Sequence, residues 1–245
     1  MRAVQDYQDI LSENLSMQSV PGYRQILPTF STALQGATSS AGAQQSGSSG
    51  NPAALQVKRV IDFAQGPLQP SPNPYHVAIQ GQAFFEVKNA DGTTSYTRNG
   101  EFTLSPKGQL LTSDGASVLN SGGSAISFST TNSAPVSISN DGTISQGDTQ
   151  VGKLGVVHFA NPQASLTPGP GGRFLATNSN DAQSGLAPND KILQNTLEES
   201  NGNAVGEMAN MLQAMRFYET NAKMVQAVDN NQSQLISTVG GRPQA

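Results

Sequence analysis

Apolar residues recur at helical spacing near the start of the chain. They lie three or four positions apart, which places them on one face of a helix: Val4, Tyr7, Ile10, Leu11 and Leu15. Pro21-Gly22 follows and stops the pattern. We therefore predict a short amphipathic helix within an N-terminal helical segment, residues 1–35. Such a helix is marginal alone, because its apolar stripe needs another surface to pack against.

A much longer stripe of the same period occupies the C-terminal region. Its members lie three, four or seven positions apart: Val205, Met208, Leu212, Met215, Ala222, Val225, Gln232, Leu235 and Val239. Between 203 and 238 there is no proline and only one glycine, Gly206. A helix of this length would measure about 54 Å. The pattern predicts a long C-terminal helix in residues 191–245 that pairs with the N-terminal segment. Its apolar stripe is longer than the N-terminal helix, so that helix can cover only part of it.

Short apolar runs separated by turn dipeptides fill much of the chain between these segments. Residues 55–190 contain many short β-type runs separated by Asx-Gly dipeptides: Asp91-Gly92, Asn99-Gly100, Asp114-Gly115 and Asp141-Gly142. These dipeptides predict hairpins with type I′ turns, and no helical period interrupts the strands, so the sheet should be antiparallel. Gly81 and Gly100 are predicted to resist substitution for backbone reasons, Gly100 through a positive φ. Residues 160–190 are expected to be loop.

The resulting fold class is α+β. An antiparallel β-rich domain, 55–190, is flanked by N- and C-terminal helices that pair as a coiled coil, and residues 36–54 form a flexible low-complexity linker rich in Gly, Ser, Ala and Gln. The unmatched length of the C-terminal stripe predicts an assembly interface with other chains. The residues of this predicted interface are Leu11, Leu15, Val205, Met208, Leu212, Met215, Ala222, Val225 and Leu235.

Composition narrows the possible functions. Only 12% of the 245 residues are charged, and the net charge of −4 offers no basic excess to bind nucleic acid. No cysteine is present, which excludes disulfides and thiolate chemistry. No apolar run is long enough to cross a membrane, so we expect no membrane insertion. The first residues lack the pattern of a cleavable signal peptide, although the composition suits an extracytoplasmic protein.

Little in the sequence points to catalysis. His76 and His158 have no acidic or histidine residue at metal-ligand spacing, and no Gly-x-Ser-x-Gly elbow is present. The acidic turns lack the ligand pattern of a calcium loop. We therefore expect neither an enzyme nor a cofactor or metal. An extracytoplasmic hydrolase and a secreted β-rich adhesin or binding module remain the alternatives from other classes.

Several blocks resemble the bacterial flagellar rod and hook axial proteins. In the β-rich region they are Ala78-Ile79-Gln80-Gly81-Gln82-Ala83-Phe84-Phe85-Glu86-Val87, Tyr96-Thr97-Arg98-Asn99-Gly100-Glu101-Phe102 and Gly108-Gln109-Leu110-Leu111-Thr112. Near the termini they are Asn14-Leu15, Gly22-Tyr23-Arg24, Leu197-Glu198-Glu199-Ser200-Asn201 and the helical set Ala214, Arg216, Tyr218, Glu219 and Asn221. The resemblance covers nearly the whole chain except residues 36–54.

This resemblance implies a structural subunit of the flagellar basal-body rod. A rod subunit, of the distal or the proximal type, is favoured over a hook-type axial subunit, because the chain has no room for the additional outer β-domain of hook proteins; between the rod types we favour the distal one. Family members are exported by the flagellar type III apparatus without a cleaved signal peptide. Their terminal helices form the inner layer of a hollow axial filament that transmits torque. The implied partners are copies of the chain itself, other rod and hook proteins and the export apparatus.

Overall fold

The computed structural model describes residues 2–32, 55–130, 134–178 and 181–240. The predicted linker, 36–54, lies outside these ranges. The chain divides into two compact units. Unit 1 comprises Met1–Glu13, Pro28–Arg59 and Ala204–Ala245, and unit 2 comprises Asn14–Leu27 and Val60–Asn203.

The helices and strands of the described residues are as follows. In chain order they are α1 (Arg2–Ser16), β1 (Ile26–Thr32), β2 (Leu55–Ile61), β3 (Leu68–Pro70), β4 (Val77–Gln80), β5 (Phe84–Lys88), β6 (Thr94–Thr97), β7 (Phe102–Leu104), β8 (Leu110–Thr112), β9 (Ser117–Val118), β10 (Val136–Ile138), β11 (Thr143–Gln146), β12 (Thr149–Lys153), β13 (Val156–Phe159), α2 (Pro162–Ser165), β14 (Leu166–Pro168), β15 (Phe174–Ala176), β16 (Ala182–Ser184), β17 (Lys191–Gln194), β18 (Thr196–Glu198) and α3 (Ala204–Gly240).

Both predicted terminal helices are present. α1 covers the N-terminal stripe, and α3 has 37 residues, or about 55 Å. β1, which pairs with β2 in a two-stranded sheet, was not predicted from the sequence. Within unit 1, Thr29 Oγ1 donates a hydrogen bond of 3.0 Å to the carbonyl oxygen of Lys58, and Arg59 and Glu13 form an exposed ion pair at 2.9 Å.

Unit 2 is built from antiparallel sheets. The largest has the order β14-β15-β6-β5-β9-β8-β7, and β13 pairs with both β5 and β16. A three-stranded sheet, β10-β11-β12, and two two-stranded sheets, β17-β4 and β18-β3, complete the unit. The predicted antiparallel arrangement is confirmed by the registers of these strand pairs. β17 and β18 lie before α3, in residues that the sequence analysis had assigned to the C-terminal helical segment.

The core of unit 2 lies on both faces of β5. Because side chains alternate along a strand, Phe84 and Phe85 point to opposite faces, and both are buried. Phe85 belongs to the larger apolar cluster, where its ring meets that of Phe102 at 5.1 Å. Phe84 belongs to the smaller one, with Phe159 and Phe174. The run that reads Ala-Phe-Phe-Glu-Val in the sequence is therefore the central strand of the unit.

Tight turns of one type recur along unit 2. In the five-residue loop 89–93, the amide of Gly92 donates to the carbonyl oxygen of Asn89, and the amide of Asn89 donates to that of Thr93. The same pair of bonds closes 105–109, 112–116, 120–124 and 139–143. The fourth residue of each loop is a glycine with φ between +76° and +88°. This is the three-residue hairpin loop with a glycine bulge.

The predicted type I′ geometry is wrong, although hairpins occur at three of the four Asx-Gly dipeptides. A type I′ turn needs positive φ at both central residues, and Asn195 is the one non-glycine residue of the described ranges with positive φ. Asn99-Gly100 forms no hairpin turn, because β6 pairs with β5 and β15 whereas β7 pairs with β8. Gly100 does not have a positive φ. Its constraint is steric, since a Cβ there would lie 1.6 Å from the carbonyl oxygen of Val77.

The structure also bears on the expectations for Gly81 and for residues 160–190. Gly81 has φ +140°, and a Cβ there would lie 1.9 Å from Oδ1 of Asp190, so backbone and packing both restrict this position. Residues 160–190 were expected to be loop, but they contain α2, β14, β15 and β16. These strands have three residues each, and proline and glycine surround them, so their pairing partners rather than their own pattern define them.

Candidate assembly surface

The N-terminal half of α3 presents a row of exposed apolar side chains. Val205 is 72% exposed and Leu212 is 61% exposed, and Met208 and Met215 are also exposed. At 3.6 residues per turn these four lie within about 80° of one another around the helix axis. Large apolar side chains that remain exposed in a contiguous row mark an interaction surface. The structure thus brings four of the predicted interface residues together on one side of α3.

A second exposed row begins before the middle of α3 and continues into its C-terminal half. Phe217, Met224, Val228 and Leu235 are all exposed and follow one another at intervals of seven, four and seven. They stay within about 40° around the axis and lie nearly opposite the first row. Of these four, only Leu235 belongs to the single stripe predicted along the whole helix, so Phe217, Met224 and Val228 were not predicted. Their heptad spacing was the signal that could have revealed them.

The remaining predicted interface residues behave differently. Leu11, on α1, is 1% exposed, whereas Leu15 and Ala222 are half-buried. Val225 lies in α3, but its side chain is outside the described residues. Leu11 and its neighbour Ile10 therefore already have a packed environment within the single chain, unlike the two rows of α3.

One side of α3 is covered near its start. Glu207 and Ala214 are buried there. The pKa of Tyr7, on α1, is raised by partial burial and by the negative charge of Glu207. Tyr7 and Glu207, both in unit 1, are thus close enough to interact electrostatically. The predicted pairing of α1 with α3 as a coiled coil stays a prediction.

Unit 2 contains a buried cluster of charged side chains. Arg24 Nη2 lies 2.6 Å from Glu198 Oε1, and Arg98 Nη1 lies 3.3 Å from Glu198 Oε2. All three side chains are at most 2% exposed. The amide of Gly66 also donates to Glu198 Oε1 at 2.9 Å. One carboxylate therefore bridges two guanidinium groups that are far apart in sequence.

The surroundings of Arg98 show why it needs a counter-charge. Its Nη2 donates to the carbonyl oxygen of Gly81 at 2.7 Å, and its guanidinium lies over the Phe84 ring at 4.9 Å. Burial lowers the pKa of Arg98 to about 10, and repulsion from Arg24 contributes to the shift, whereas Glu198 and Asp190 oppose it. The protonated form is costly in this environment without the two carboxylates.

The cluster joins three of the motifs on which the family resemblance rests. Arg24 ends the Gly-Tyr-Arg block, Arg98 lies in the Tyr-Thr-Arg block, and Glu198 lies in the Leu-Glu-Glu-Ser-Asn block. Each block is recognisable separately in the sequence, but their meeting is not. A pairing across 174 positions has no local periodicity that could reveal it.

Two polar side chains hold the ring of His76 in place. His76 Nδ1 lies 2.7 Å from Ser71 Oγ, and its Nε2 lies 3.1 Å from Asn73 Nδ2. These contacts hold the loop before β4. In the tautomer whose Nε2 accepts from Asn73, Nδ1 donates to the Ser71 hydroxyl oxygen. Across the described ranges, no group of three or more His, Cys, Asp or Glu side chains could hold a metal ion. In the same ranges, none of the helices has both the length and the apolar character to span a membrane.

Two protein-family models match separate parts of this chain. Residues 78–146 match the sequence model of the flagellar hook protein FlgE/F/G D1 domain. Residues 193–238 match that of the flagellar basal body rod FlgEFG protein C-terminal region. The first match covers the central strands of unit 2, and the second covers β18 and most of α3. These matches define the class of protein as a flagellar axial protein.

Similar proteins are flagellar basal-body rod proteins. The FlgG protein of Agrobacterium fabrum is 31% identical over 93% of this chain and 83% of its own length. The FlgF protein of Caulobacter vibrioides is 34% identical over 69% of both chains. The FlgG protein of Buchnera aphidicola subsp. Schizaphis graminum is 29% identical over 90% of this chain and 89% of its own. The chain belongs to the flagellar basal-body rod protein family.

Proposed function

We propose that the chain polymerises through the exposed apolar rows of α3 to form part of the flagellar basal-body rod, of which it is a structural subunit. The observation that carries this proposal is the pair of rows on nearly opposite sides of one helix. A dimer would be enough to bury a single exposed row. Two different rows require two different neighbours, and such heterologous contacts extend into a helical filament when they do not close a ring.

The chemistry of the rows suits contacts between identical subunits. The first contains two methionines and the second contains one, and these flexible side chains tolerate imperfect fit. Few charged residues interrupt α3, so neighbouring copies would bring little like-charge repulsion into the contact. In this proposal α1 and α3 pair as a coiled coil and line a hollow axial filament, which transmits torque.

The same proposal includes the partners and the location. Family membership supports contacts with copies of the chain and with other rod and hook proteins, in the basal body of the bacterial flagellum. Export by the flagellar type III apparatus, without a cleaved signal peptide, belongs to this proposal as well. It rests on the resemblance of the terminal segments to those of the family.

The experiment compares two neighbouring substitutions on α3. Leu212→Asp places a carboxylate in the first apolar row, and Gln213→Asp places one at the next position, which is exposed and polar. Each variant is expressed as the only copy in a strain that lacks the native gene. Basal bodies are then purified and viewed by electron microscopy, and swimming is recorded.

We expect Leu212→Asp to abolish rod formation and swimming, because the contact would bury an unpaired carboxylate. Gln213→Asp should retain both. The thermal unfolding of unit 2 should be the same in the two purified variants, since Leu212 belongs to unit 1. Complete rods in the Leu212→Asp strain would contradict assembly through this row.

A further inference from the structure

The chain passes between unit 1 and unit 2 four times. The crossings lie between residues 13 and 14, 27 and 28, 59 and 60, and 203 and 204. Force that is transmitted along the covalent chain from one unit to the other must therefore pass through one or more of these four backbone segments. If unit 2 holds these segments firmly to one another, they bear the force together; otherwise each segment is loaded separately.

Asn14 links the first crossing to the second. Its Nδ2 donates to the carbonyl oxygen of Ile26 at 2.8 Å, and its Oδ1 accepts from the amide of Ile26 at 2.9 Å. The side-chain amide thus pairs with both backbone groups of one residue, as a neighbouring strand would. The Tyr23 hydroxyl donates to the same Oδ1 at 3.1 Å. Asn14 is 3% exposed, so water does not compete readily for these bonds.

Asn201 links the second, third and fourth crossings. Its Oδ1 accepts from the amide of Gln25 at 2.7 Å, and its Nδ2 donates to the carbonyl oxygens of Asp62 at 2.8 Å and Ala64 at 3.0 Å. Both Nδ2 hydrogens are used. Gln25 lies just before the second crossing, Asp62 and Ala64 lie just after the third, and Asn201 itself lies just before the fourth. Every residue in this set, like Asn14, belongs to unit 2.

We infer that Asn14 and Asn201 are positioning residues that clamp the four crossing segments together, so that load on the rod is shared among them. This inference rests on the proposed function and adds to it the residues through which force enters unit 2. Asparagine suits the task, because a single short side chain offers two donors and an acceptor to backbone groups. The buried Arg24–Glu198–Arg98 cluster holds the fold beside these residues, whereas the two asparagines bind the backbone of the crossing segments directly.

The bonds of Asn201 are placed to act locally. Those to Gln25 and Asp62 are half-buried and the one to Ala64 is exposed, so water can replace them after substitution. Loss of the clamp should therefore loosen the crossing segments without unfolding the apolar core. This distinguishes a positioning role from a general contribution to stability, which would weaken all of unit 2 alike.

The test uses the full-length chain with three variants. Asn201→Ala removes all three bonds, and Asn201→Asp keeps the acceptor for Gln25 but loses both donors. Asn140→Ala, in an exposed hairpin loop of unit 2, is the control. Hydrogen exchange is measured at the amide of Gln25 and at core amides of β5. The same variants, each as the only copy in cells, are scored for swimming in dilute and in viscous medium.

We expect the Gln25 amide to exchange about 10-fold faster in Asn201→Ala, with the β5 amides unchanged. Asn201→Asp should retain protection at Gln25, and both Asn201 variants should lose swimming selectively in viscous medium. Equal acceleration of Gln25 and β5 would overturn the inference, as would swimming under load equal to that of Asn140→Ala. Normal swimming of a strain without the gene would instead overturn the proposed function. The exchange result does not depend on swimming and therefore tests the clamp separately.

Discussion

Single residues in this protein are constrained mostly by partners that are distant in sequence. Glu198 is the clearest case, because its carboxylate neutralises Arg24 and Arg98 at the same time. A buried ion pair adds little net stability when it is compared with a well-packed apolar replacement. Removing one partner is costly, however, because the other charge stays buried.

We predict that Glu198→Gln lowers the free energy of unfolding of unit 2 by about 3–5 kcal/mol. Glu199→Gln makes the same chemical change at the next position, which is exposed, and should alter stability by less than about 0.5 kcal/mol. Urea unfolding of the full-length chain, followed by circular dichroism, compares the two variants. Equal midpoints would mean that the cluster does not stabilise the unit.

Gly92 and Gly100 separate two reasons for keeping a glycine. Gly92 has φ +85° and open space around it, so alanine there should cost about 1 kcal/mol through backbone strain alone. At Gly100 a Cβ would collide with the carbonyl oxygen of Val77, so the backbone of β4 or of the Gly100 segment must move. We expect Gly100→Ala to be the more destabilising variant in thermal unfolding. The reverse order would show that the contact with Val77 relaxes easily.

At the scale of elements, the hairpin loops carry their own stabilising hydrogen bonds. In β10–β11 the Thr143 hydroxyl and amide both donate to the Asp141 carboxylate, at 2.8 and 3.2 Å. These bonds, with the hydroxyl first, lower the pKa of Asp141 from its usual 3.8. Asp91 has the same arrangement with Thr93.

A carboxyl group with a lowered pKa in the folded state stabilises that state when it is ionised. The contribution of Asp141 is therefore complete above its usual pKa of 3.8 and is lost as the pH falls through the folded value. Thr143→Val removes the hydroxyl and should raise the pKa of Asp141 toward 3.8, and the pKa of Asp91 should stay unchanged as the internal control. An NMR titration of the side-chain carboxyl carbons measures both. An unchanged Asp141 would contradict this role of Thr143.

The C-terminal part of α3 differs from the strands of unit 2 in its burial. All side chains from 226 to 235 are exposed, and a helix without a packed face is marginal in water. We predict that amides of this stretch exchange much faster than those of β5 in the unassembled subunit and become protected in purified rods. Hydrogen exchange with mass spectrometry measures both states. Equal protection of α3 and β5 in the free subunit would contradict coupling of helix stability to assembly.

At the scale of the whole molecule, unit 2 is completed by segments that lie before and after the predicted β-domain in the sequence. β17 pairs with β4, β18 pairs with β3, and Arg24 comes from the segment after α1. A fragment limited to the predicted β-domain, 55–190, would lack all three and would keep Arg98 without Glu198. A fragment spanning 14–203 retains them.

We predict that fragment 14–203 unfolds cooperatively at nearly the temperature of unit 2 in the full chain. Fragment 55–190 should unfold at a much lower temperature or without a cooperative transition. Differential scanning calorimetry of the two fragments and the full chain makes the comparison. Cooperative unfolding of 55–190 at the full-chain temperature would show that the segments before and after it are dispensable, as the sequence pattern alone suggests.

Local features of this protein could be read directly from its sequence. The positions of α1 and α3 follow from the 3.6-residue period, and the hairpins at Asp91, Asp114 and Asp141 follow from glycines that adopt positive φ. These properties depend on residues within a few positions of one another, so a pattern reports them. The two rows of α3 were also present in the sequence, but only their exposure separated Phe217 and Met224 from ordinary core positions.

Tertiary structure alone decided the rest. The strands β14 to β18 are too short to have a pattern of their own, and they exist because other strands of the folded unit offer them hydrogen-bond partners. The same holds for the requirement at Gly100, the meeting of Arg24, Arg98 and Glu198, and the bonds of Asn14 and Asn201 to the crossing segments. Each depends on contacts between groups that are about ten to more than a hundred residues apart in the chain, and such contacts exist only in the folded chain, so no local pattern encodes them.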